Sequence, residues 1–445
     1  MPTSLSTDLY EVLMVAGYRD LGRNEPACFE LSLRELQNSR GYAVAAGLEQ
    51  ALDYLEELQF NRDEIDYLRE LPILASVPAS FFDEYLSKFR FRGEVWAVPE
   101  GQVVFGMEPL LQVIGSLPEA QLIETTLLSV VLFQSMIATK ARRIVDAAAG
   151  RPVMEFGARR AHGAEAGKLG ARAGFIGGCS GSSQLECGMD WGIPVSGTMA
   201  HSWVLAHESE RDAFHRYTEL YGNASVLLVD TYDTLKAVRM IVSEGLSPSA
   251  IRLDSGDLVQ LSRESRKLLD AGGKQGVKII ASGDLDEYRI SDLIAANAPI
   301  DAFGVGAALS AAPDAVSLSG VYKLVEMVRN GRRVPTAKYS LQKATWPGRK
   351  QVWRVYRDDY AVYDVLCLHD EPPPEGGVPL LECVMKDGQR VKSSNSVRTA
   401  QERCLQSVEA LSKGVRSLQS PDRFDVRLSD ELAELNRMTQ QSSVE

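Results

Sequence analysis

Val226-Leu227-Leu228-Val229-Asp230 is a continuously apolar run that ends in a carboxylate. A half-exposed antiparallel strand would alternate apolar and polar residues, so an uninterrupted run is typical of a parallel strand that is buried on both faces. Similar short runs recur on either side of it, each followed by a glycine-rich or charged turn and then by an amphipathic stretch. This repetition is typical of βα units.

The βα pattern begins near residue 150 and predicts seven strands. We place them at Val153–Gly157, Phe175–Gly177, Ile193–Ser196, Val226–Asp230, Ile251–Asp254, Val277–Ala281 and Asp301–Val305. Seven such units favour an α/β fold with an irregular (β/α) barrel, and an open doubly wound sheet is the alternative.

The two flanks of this region have a different pattern. Residues 1–130 mix helical stretches with short strand signals, and residues 336–445 contain alternating runs separated by the turns Asp358-Asp359 and Asp387-Gly388. We therefore expect two domains. Residues 131–335 would form the barrel that carries the site, and 1–130 with 336–445 would form a discontinuous α+β domain.

Composition excludes several classes of function. The formal net charge of -12 argues against nucleic acid or an anionic membrane as the main partner. The six cysteines show no CxxC pair, which favours reduced thiols over a zinc site or a disulfide framework. With no signal-peptide pattern and no apolar run long enough to span a bilayer, the sequence predicts a cytoplasmic protein.

Polar residues follow strand after strand in the predicted barrel. The loops carry Arg159-Arg160, the run Gly197 to Trp203, Asp230-Thr231, Arg252 to Asp257, Ser282-Gly283-Asp284 and Gly304-Val305-Gly306. Aspartate, serine and glycine also cap helices, so each single loop has an ordinary structural explanation. Six successive loops favour a shared active site, because the carboxyl ends of barrel strands form one face.

The residue types in these loops suit an anionic substrate. Glycine turns such as Ser282-Gly283-Asp284 and Gly304-Val305-Gly306 can hold a phosphate with main-chain N–H groups. Arg159 and Arg252 can bind a carboxylate or a phosphate through two hydrogen bonds, and Arg252 and Asp254 point to the same side of one strand.

Two further features stay open on the residues alone. His201, in the run Gly197 to Trp203, is a structural histidine, a general base or a nucleophile that accepts a phosphoryl group. Phe156 and Tyr10 are either core residues or surfaces on which a flat ring stacks.

The motifs together resemble the nicotinate phosphoribosyltransferase family of type II phosphoribosyltransferases. The resemblance rests on Thr7-Asp8-Leu9-Tyr10, Arg40-Gly41-Tyr42, EFGARRAHG from Glu155, GTMAHSW from Gly197, VDTYDT from Val229, RLDSGDL from Arg252, ASGDLDE from Ala281 and the GVG of 304–306. It implies that nicotinate attacks C1 of phosphoribosyl pyrophosphate to give nicotinate mononucleotide and pyrophosphate, in NAD biosynthesis. It also implies coupling to ATP hydrolysis, Mg²⁺ on the pyrophosphate, and a homodimer with the active site at the interface.

The resemblance also implies a role for each candidate residue. His201 would be the phosphorylated histidine, and Asp254 would approach the ring or the ribose as the second catalytic group. Tyr10 of the neighbouring subunit and Phe156 would sandwich the pyridine ring. The other residues that it places around the substrates are Arg159, Thr198 and Arg252 near the nicotinate and ribosyl groups, and Ser282, Gly283, Asp284, Gly304, Gly306 and Ala307 near the 5-phosphate.

Two positions bear on substrate choice. The related nicotinamide enzyme has an aspartate at the place of Ser183, and a carboxylate there would repel nicotinate, so serine favours the acid. Ala307 stands where the family usually has threonine, which removes a hydroxyl contact to the phosphate. The alternatives are a nicotinamide or quinolinate phosphoribosyltransferase, or a non-catalytic barrel that binds a phosphosugar; a mere binder would not need His201.

Overall fold

The computed structural model describes residues 2–36, 40–339 and 345–442. Its contacts divide the chain into two units, Met1–Met136 with Ser317–Glu445 and Ile137–Val316. No helix in the described part of the chain is both long enough and apolar enough to cross a membrane.

The strands are β1 Pro26–Leu33, β2 Ala43–Val44, β3 Glu94–Ala97, β4 Val103–Val104, β5 Pro109–Ser116, β6 Val153–Glu155, β7 Gly181–Ser182, β8 Val226–Leu228, β9 Ala250–Leu253, β10 Lys278–Ala281, β11 Ala302–Val305, β12 Gly320–Arg329, β13 Arg332–Pro335, β14 Lys350–Arg357, β15 Tyr360–Leu368, β16 Gly377–Pro379, β17 Glu382–Lys386, β18 Gln389–Arg390 and β19 Asp425–Leu428.

The α-helices are α1 Leu9–Asp20, α2 Leu48–Glu57, α3 Arg62–Glu70, α4 Leu117–Leu122, α5 Glu124–Ala147, α6 Ala164–Ile176, α7 Leu185–Trp191, α8 His201–Leu205, α9 Glu210–Tyr221, α10 Thr234–Ser243, α11 Leu258–Ala271, α12 Glu287–Ala295, α13 Ala307–Ala311, α14 Val397–Glu409 and α15 Asp430–Ser442. Short 3₁₀ turns lie at Pro72–Leu74, Leu86–Lys88, Ala158–Arg160 and Gly222–Ala224, and a π-helical turn lies at Phe81–Tyr85.

The second unit is built on a six-stranded parallel sheet in the order β7-β6-β11-β10-β9-β8. Its strands are buried as the apolar runs predict: Leu227, Ile251, Ile279 and Phe303 are all 0% exposed. Five of the seven predicted strands are confirmed as β6, β8, β9, β10 and β11. Their carboxyl ends lie at one edge of the sheet, where the polar loops begin.

Two predicted strands differ in the structure. The strand at Phe175–Gly177 is wrong, because Phe175 and Ile176 form the buried end of α6 and Gly177 is its C-cap residue. A short apolar run does not distinguish a strand from a buried helix end. The segment Ile193–Ser196 contributes one isolated bridge, between Val195 and Ser182 of β7.

The ladder of the second unit does not close in the described residues. It runs from Val195 and β7 at one edge to β8 at the other. The observed architecture is therefore a mixed α/β fold on a parallel six-stranded sheet, and the described residues form no closed hydrogen-bonded barrel.

The helices that follow β8, β9 and β10 begin at aspartate caps. Asp233 accepts a hydrogen bond from Lys236 N, Asp257 from Val259 N and Gln260 N, and Asp286 from Arg289 N. These three carboxylates satisfy N–H groups that the first helical turn leaves free. Each therefore has a helix-capping role, which distinguishes them from Asp230 after β8 and Asp254 after β9.

The first unit contains a seven-stranded sheet in the order β13-β12-β1-β5-β3-β17-β18 and a four-stranded sheet in the order β16-β14-β15-β19. Because β12 pairs with β1 from Met327↔Ala27 to Gly320↔Leu33, residues 317–335 belong to this unit and not to the barrel segment where we expected them. The predicted hairpin around Asp358-Asp359 is confirmed, and both aspartates have positive φ angles.

Candidate active site

Three ligand-type side chains meet at the carboxyl edge of the parallel sheet. His201, Asp230 and Asp254 each present a nitrogen or oxygen atom, and these atoms all lie within 4.8 Å of one another. All three residues are half-buried. His201 is the first residue of α8, Asp230 follows β8 and Asp254 follows β9. Two carboxylates and an imidazole so close together form a site for cations or for proton transfer.

The imidazole of His201 is held from one side. Its Nδ1 atom lies 3.1 Å from Thr231 Oγ1, and Thr231 immediately follows Asp230 in the chain. This contact orients the ring next to the two carboxylates.

Asp230 retains an unused oxygen. Its Oδ2 atom accepts a hydrogen bond of 2.6 Å from Ser255 Oγ, whereas Oδ1 is buried and has no hydrogen-bond partner in the described part of the chain. A buried carboxylate oxygen without a hydrogen-bond partner is energetically costly, so such an atom normally gains a partner when a ligand or metal ion is bound. Mg²⁺ prefers carboxylate oxygens, and the donor set of Asp230 and Asp254 fits that ion.

Arg252 supplies the cation of the site. Its Nη1 atom donates a hydrogen bond to Thr198 Oγ1, and its Nη2 atom lies 3.9 Å from Asp254 Oδ1. Its Nε atom is buried and lacks a hydrogen-bond partner among the described residues. Burial lowers the pKa of the Arg252 guanidinium, Asp254 and Asp230 raise it, and the positive charge of Arg159 lowers it. A guanidinium remains charged here and can take a further anion.

The glycine turn after β10 packs closely on the turn after β9. Ser282 Oγ donates a 2.5 Å hydrogen bond to Asp254 Oδ1. Gly283 has a φ of +87°, and a Cβ atom at this position would overlap the main-chain oxygen of Asp254. Only glycine fits such an approach without rearrangement.

The second glycine turn packs on Phe156. A Cβ atom on Gly304 would lie 2.5 Å from the Cδ2 and Cε2 atoms of the Phe156 ring, and one on Gly306 would lie 3.3 Å from the Phe156 carbonyl oxygen. The Phe156 ring is half-buried. The expected ring-stacking residue and the expected phosphate turn are thus neighbours.

The structure brings together most of the predicted residues. Contacts join Thr198 to Arg252, Asp254 to Ser282 and Gly283, and Phe156 to Gly304 and Gly306. Four others are exposed at strand ends on the same edge: Arg159 after β6, Ser183 after β7, Asp284 after β10 and Ala307 at the start of α13.

Tyr10 belongs to the first unit, near the start of α1, and is 45% exposed. Its neighbour Glu11 is fully buried and accepts hydrogen bonds from Thr125 N at 3.0 Å, from Thr125 Oγ1 at 2.9 Å and from Thr7 Oγ1. Burial raises the pKa of Glu11 to about 7 and is also the main cause of a raised Tyr10 pKa. The first turn of α1 is therefore fixed by Glu11, while Tyr10 is presented outward.

Sequence reasoning assigned no role to Asp230, Thr231 and Ser255, although all three take part in the contacts of the site. Their position after a buried strand had placed Asp230 and Thr231 among the polar loops of the predicted active site, but it indicated no role for either residue. Ser255 carried no distinguishing signal, since serine in a glycine turn is ordinary.

The chain matches three family models along its length. They are described as the nicotinate phosphoribosyltransferase (NAPRTase) N-terminal domain over residues 5–132, the NAPRTase family over residues 152–358, and the nicotinate phosphoribosyltransferase C-terminal domain over residues 377–436. The order of the matches is the order of the motifs quoted above.

Individual relatives agree with the family models. Nicotinate phosphoribosyltransferase pncB2 of Mycobacterium tuberculosis is 42% identical over 454 residues, covering 99% of this chain and 95% of that protein. The Bacillus subtilis nicotinate phosphoribosyltransferase is 42% identical over 383 residues, covering 83% and 76%. The crystal structure of human nicotinic acid phosphoribosyltransferase superposes with a TM-score of 0.85 at 28% identity, covering 97% and 99% of the two chains. The chain belongs to the nicotinate phosphoribosyltransferase family.

Proposed function

We propose that the protein forms nicotinate mononucleotide and pyrophosphate from nicotinate and phosphoribosyl pyrophosphate, in NAD biosynthesis. The observation that carries this proposal is the meeting of His201, Asp230 and Asp254 within 4.8 Å, next to the half-buried Arg252 guanidinium. The cation can bind an anionic group of the substrates, and the two carboxylates can stabilise positive charge that develops during the transfer.

Arg252 is the residue that would bind the nicotinate carboxylate. The hydrogen bond from its Nη1 atom to Thr198 orients the guanidinium, its Nε atom has no partner among the described residues and could donate to a ligand, and Arg159 adds a second cation nearby. The flat face of Phe156, packed on Gly304, would support the pyridine ring. The task of these residues is to align the ring nitrogen with C1 of the ribose.

Asp254 would act at the reacting ribose. Departure of pyrophosphate develops positive charge on the ribose, and a carboxylate nearby stabilises that charge. Ser282 and Arg252 fix the orientation of Asp254, at 2.5 Å and 3.9 Å respectively. The 5-phosphate would lie against Ser282, Gly283, Gly304 and Gly306, with Asp284 and Ala307 at the rim.

Asp230 and Asp254 are the residues that would hold Mg²⁺, because they offer hard oxygen ligands and Asp230 Oδ1 lacks a partner among the described residues. When bound, the ion would neutralise negative charge on the departing pyrophosphate.

His201 is proposed to accept the γ-phosphoryl group of ATP. A nitrogen–phosphorus bond would form, the bond from the γ-phosphorus to the bridging oxygen would break, and ADP would leave. The hydrogen-bond contact with Thr231 holds the ring for this transfer. Hydrolysis of the phosphohistidine would then couple ATP cleavage to synthesis.

Two expectations concern substrate choice and assembly. Ser183 is exposed after β7, so it can face a ligand, and as a neutral residue it would not repel the carboxylate of nicotinate. The outward presentation of Tyr10 supports its use in a neighbouring subunit's site, and we propose a homodimer on that basis.

We also propose that the six-stranded sheet curves as an irregular barrel. Val195 is bridged to one edge of the ladder and Thr231 follows β8 at the other edge. His201, a few residues after Val195, nevertheless contacts Thr231 at 3.1 Å, and Thr198 contacts Arg252. Loops from opposite edges meet in this way when a sheet bends round on itself.

The test is product formation by the purified protein. Mass spectrometry would follow nicotinate mononucleotide from nicotinate, phosphoribosyl pyrophosphate and Mg²⁺, with and without ATP, next to His201→Ala and to reactions with nicotinamide or quinolinate. We expect product from nicotinate, with an ATP stimulation that His201→Ala lacks. Absence of product from nicotinate, or product only from another pyridine, would contradict the proposal.

A further inference from the structure

Glu155 is a buried carboxylate that the proposed reaction does not use. It is the last residue of β6 and is 1% exposed. Its Oε2 atom accepts a hydrogen bond of 2.5 Å from Ser182 Oγ, and its Oε1 atom accepts one from the main-chain N–H of Gly157. One carboxylate thus joins the turn after β6 to the end of β7.

The backbone of Glu155 reinforces this connection. Its carbonyl oxygen accepts a 3.0 Å hydrogen bond from Ser183 N. Gly157 has no room for a side chain, since a Cβ atom there would lie 2.5 Å from Ser310 Cβ and 2.8 Å from Glu155 Oε1. The residues next to these anchors are Phe156 on one side and Ser183 on the other.

A buried carboxylate at this position is energetically costly. Burial raises the pKa of Glu155, and the hydrogen bonds from Ser182 and Gly157 lower it. No lysine or arginine of the described chain lies within ion-pair distance of it, so the donors alone compensate its charge. A glutamine would carry no charge; if its oxygen accepted from Gly157 N–H, its amide group would have to donate to Ser182 Oγ, so the bond to Ser182 would be kept only with its direction reversed.

We propose that Glu155 is a positioning residue for recognition of the pyridine substrate. It fixes Phe156 and Ser183 relative to each other, so that the ring-stacking surface and the residue that discriminates acid from amide keep one geometry. This inference rests on the proposed function, in which both residues face nicotinate.

The test is the steady-state kinetics of Glu155→Gln. We expect the KM for nicotinate to rise at least fivefold and the preference for nicotinate over nicotinamide to fall, while the KM for phosphoribosyl pyrophosphate changes less than twofold. Glu219→Gln is the matched control, because Glu219 is an exposed glutamate on α9. Ser182→Ala removes one of the two hydrogen bonds to the Glu155 carboxylate. It should raise the KM for nicotinate by about twofold to threefold and leave the KM for phosphoribosyl pyrophosphate unchanged.

Unchanged kinetics in Glu155→Gln would overturn the inference, and so would equal losses for both substrates, which would indicate a purely structural role. If Glu155→Gln does not fold, Ser182→Ala decides in the same way. Failure of the proposed function is distinguishable, because the wild-type protein would then form no nicotinate mononucleotide at all.

Discussion

Gly283 lies directly against the main-chain carbonyl of Asp254, so that the turn after β10 and the loop after β9 are in van der Waals contact. The φ of Gly283 is +87°, and a Cβ atom added there would overlap Asp254 O. The expected phosphate turn is therefore packed against the backbone of the residue that carries the expected catalytic carboxylate.

Gly283→Ala should damage both stability and substrate binding. The left-handed backbone costs an alanine about 1 kcal/mol, and the overlap with Asp254 adds roughly 1–3 kcal/mol of overpacking or forces the turn apart. We expect the free energy of unfolding in urea to fall by about 2–4 kcal/mol and the KM for phosphoribosyl pyrophosphate to rise at least tenfold.

The matched control for that change is Gly273→Ala. Gly273 also has a left-handed φ, +72°, but a Cβ atom there would meet nothing within 4 Å. The free energy of unfolding of Gly273→Ala should fall only by the cost of the left-handed backbone, about 1 kcal/mol, and its KM values should not change. Equal losses of unfolding free energy and equal KM values in the two variants would show that the contact of Gly283 with Asp254 affects neither stability nor substrate binding.

Arg252→Lys should weaken nicotinate binding although it keeps the charge. An ammonium cannot reproduce the planar set of N–H donors that reaches Thr198 and a carboxylate ligand. Loss of a charge-assisted hydrogen bond of roughly 1.5–3 kcal/mol corresponds to an increase of about tenfold to a hundredfold in the KM for nicotinate.

Arg211→Lys serves as the control, because Arg211 pairs with Glu244 at an exposed position on α9. Its KM values should match those of the wild-type protein. A normal KM for nicotinate in Arg252→Lys would remove Arg252 from the carboxylate site.

The strands of the parallel sheet could be predicted because each is a continuous apolar run, such as the one that ends at Asp230, and burial on both faces requires that pattern. The end of α6 could not, because Phe175 and Ile176 are equally apolar in a buried helix and in a strand. The register that brings β12 onto β1 depends on pairing between distant segments, which no local pattern encodes.

The sequence predicted which loops form the site, but it did not predict what each residue in those loops does. Asp230 and Asp233 lie three positions apart in the same loop, yet Asp233 caps α10 whereas Asp230 joins His201 and Asp254. Both are aspartates after a strand, and only the three-dimensional path of the loop separates them. Glu155 was part of a recognised motif, but its hydrogen bond to Ser182 depends on the adjacency of β6 and β7.

Glu11 should make stability depend on pH near neutrality. Its pKa is raised from 4.5 to about 7 in the folded chain, so the native state holds a proton that the unfolded chain releases between these values. Stability is therefore highest below about pH 4.5 with respect to this group, falls as the pH rises towards 7, and is level above that. After an allowance for solvent screening, the loss is about 2 kcal/mol.

Glu11→Gln isolates this effect, because a glutamine resembles the protonated acid and does not titrate. Its free energy of unfolding, measured in urea from about pH 5 to about pH 8, should lack the decline that the wild-type protein shows. A wild-type profile that rises with pH over this interval, or parallel profiles for the two proteins, would contradict the assignment. Tyr10 is unchanged in the variant, so its contribution to activity can be measured separately.

Ala307→Thr tests whether a missing hydroxyl limits phosphate binding. Ala307 is exposed at the start of α13 and directly follows Gly306. The family usually has threonine at the position of Ala307. A hydroxyl at this helix start would add one hydrogen bond of about 1 kcal/mol to the 5-phosphate, which corresponds to a decrease of roughly fivefold in the KM for phosphoribosyl pyrophosphate. The KM for nicotinate should stay constant.

Ala308→Thr is the control for that gain, because it places the same β-branched residue one position further along α13 and carries a similar helix-propensity cost. If Ala307→Thr lowers the KM for phosphoribosyl pyrophosphate and Ala308→Thr does not, the hydroxyl acts on the ligand and not on the helix. If neither variant changes it, main-chain donors at Gly283, Gly304 and Gly306 are sufficient, and the alanine is neutral for binding. A rise in Ala307→Thr would mean that the phosphate lies too close to this residue for any side chain larger than a methyl group.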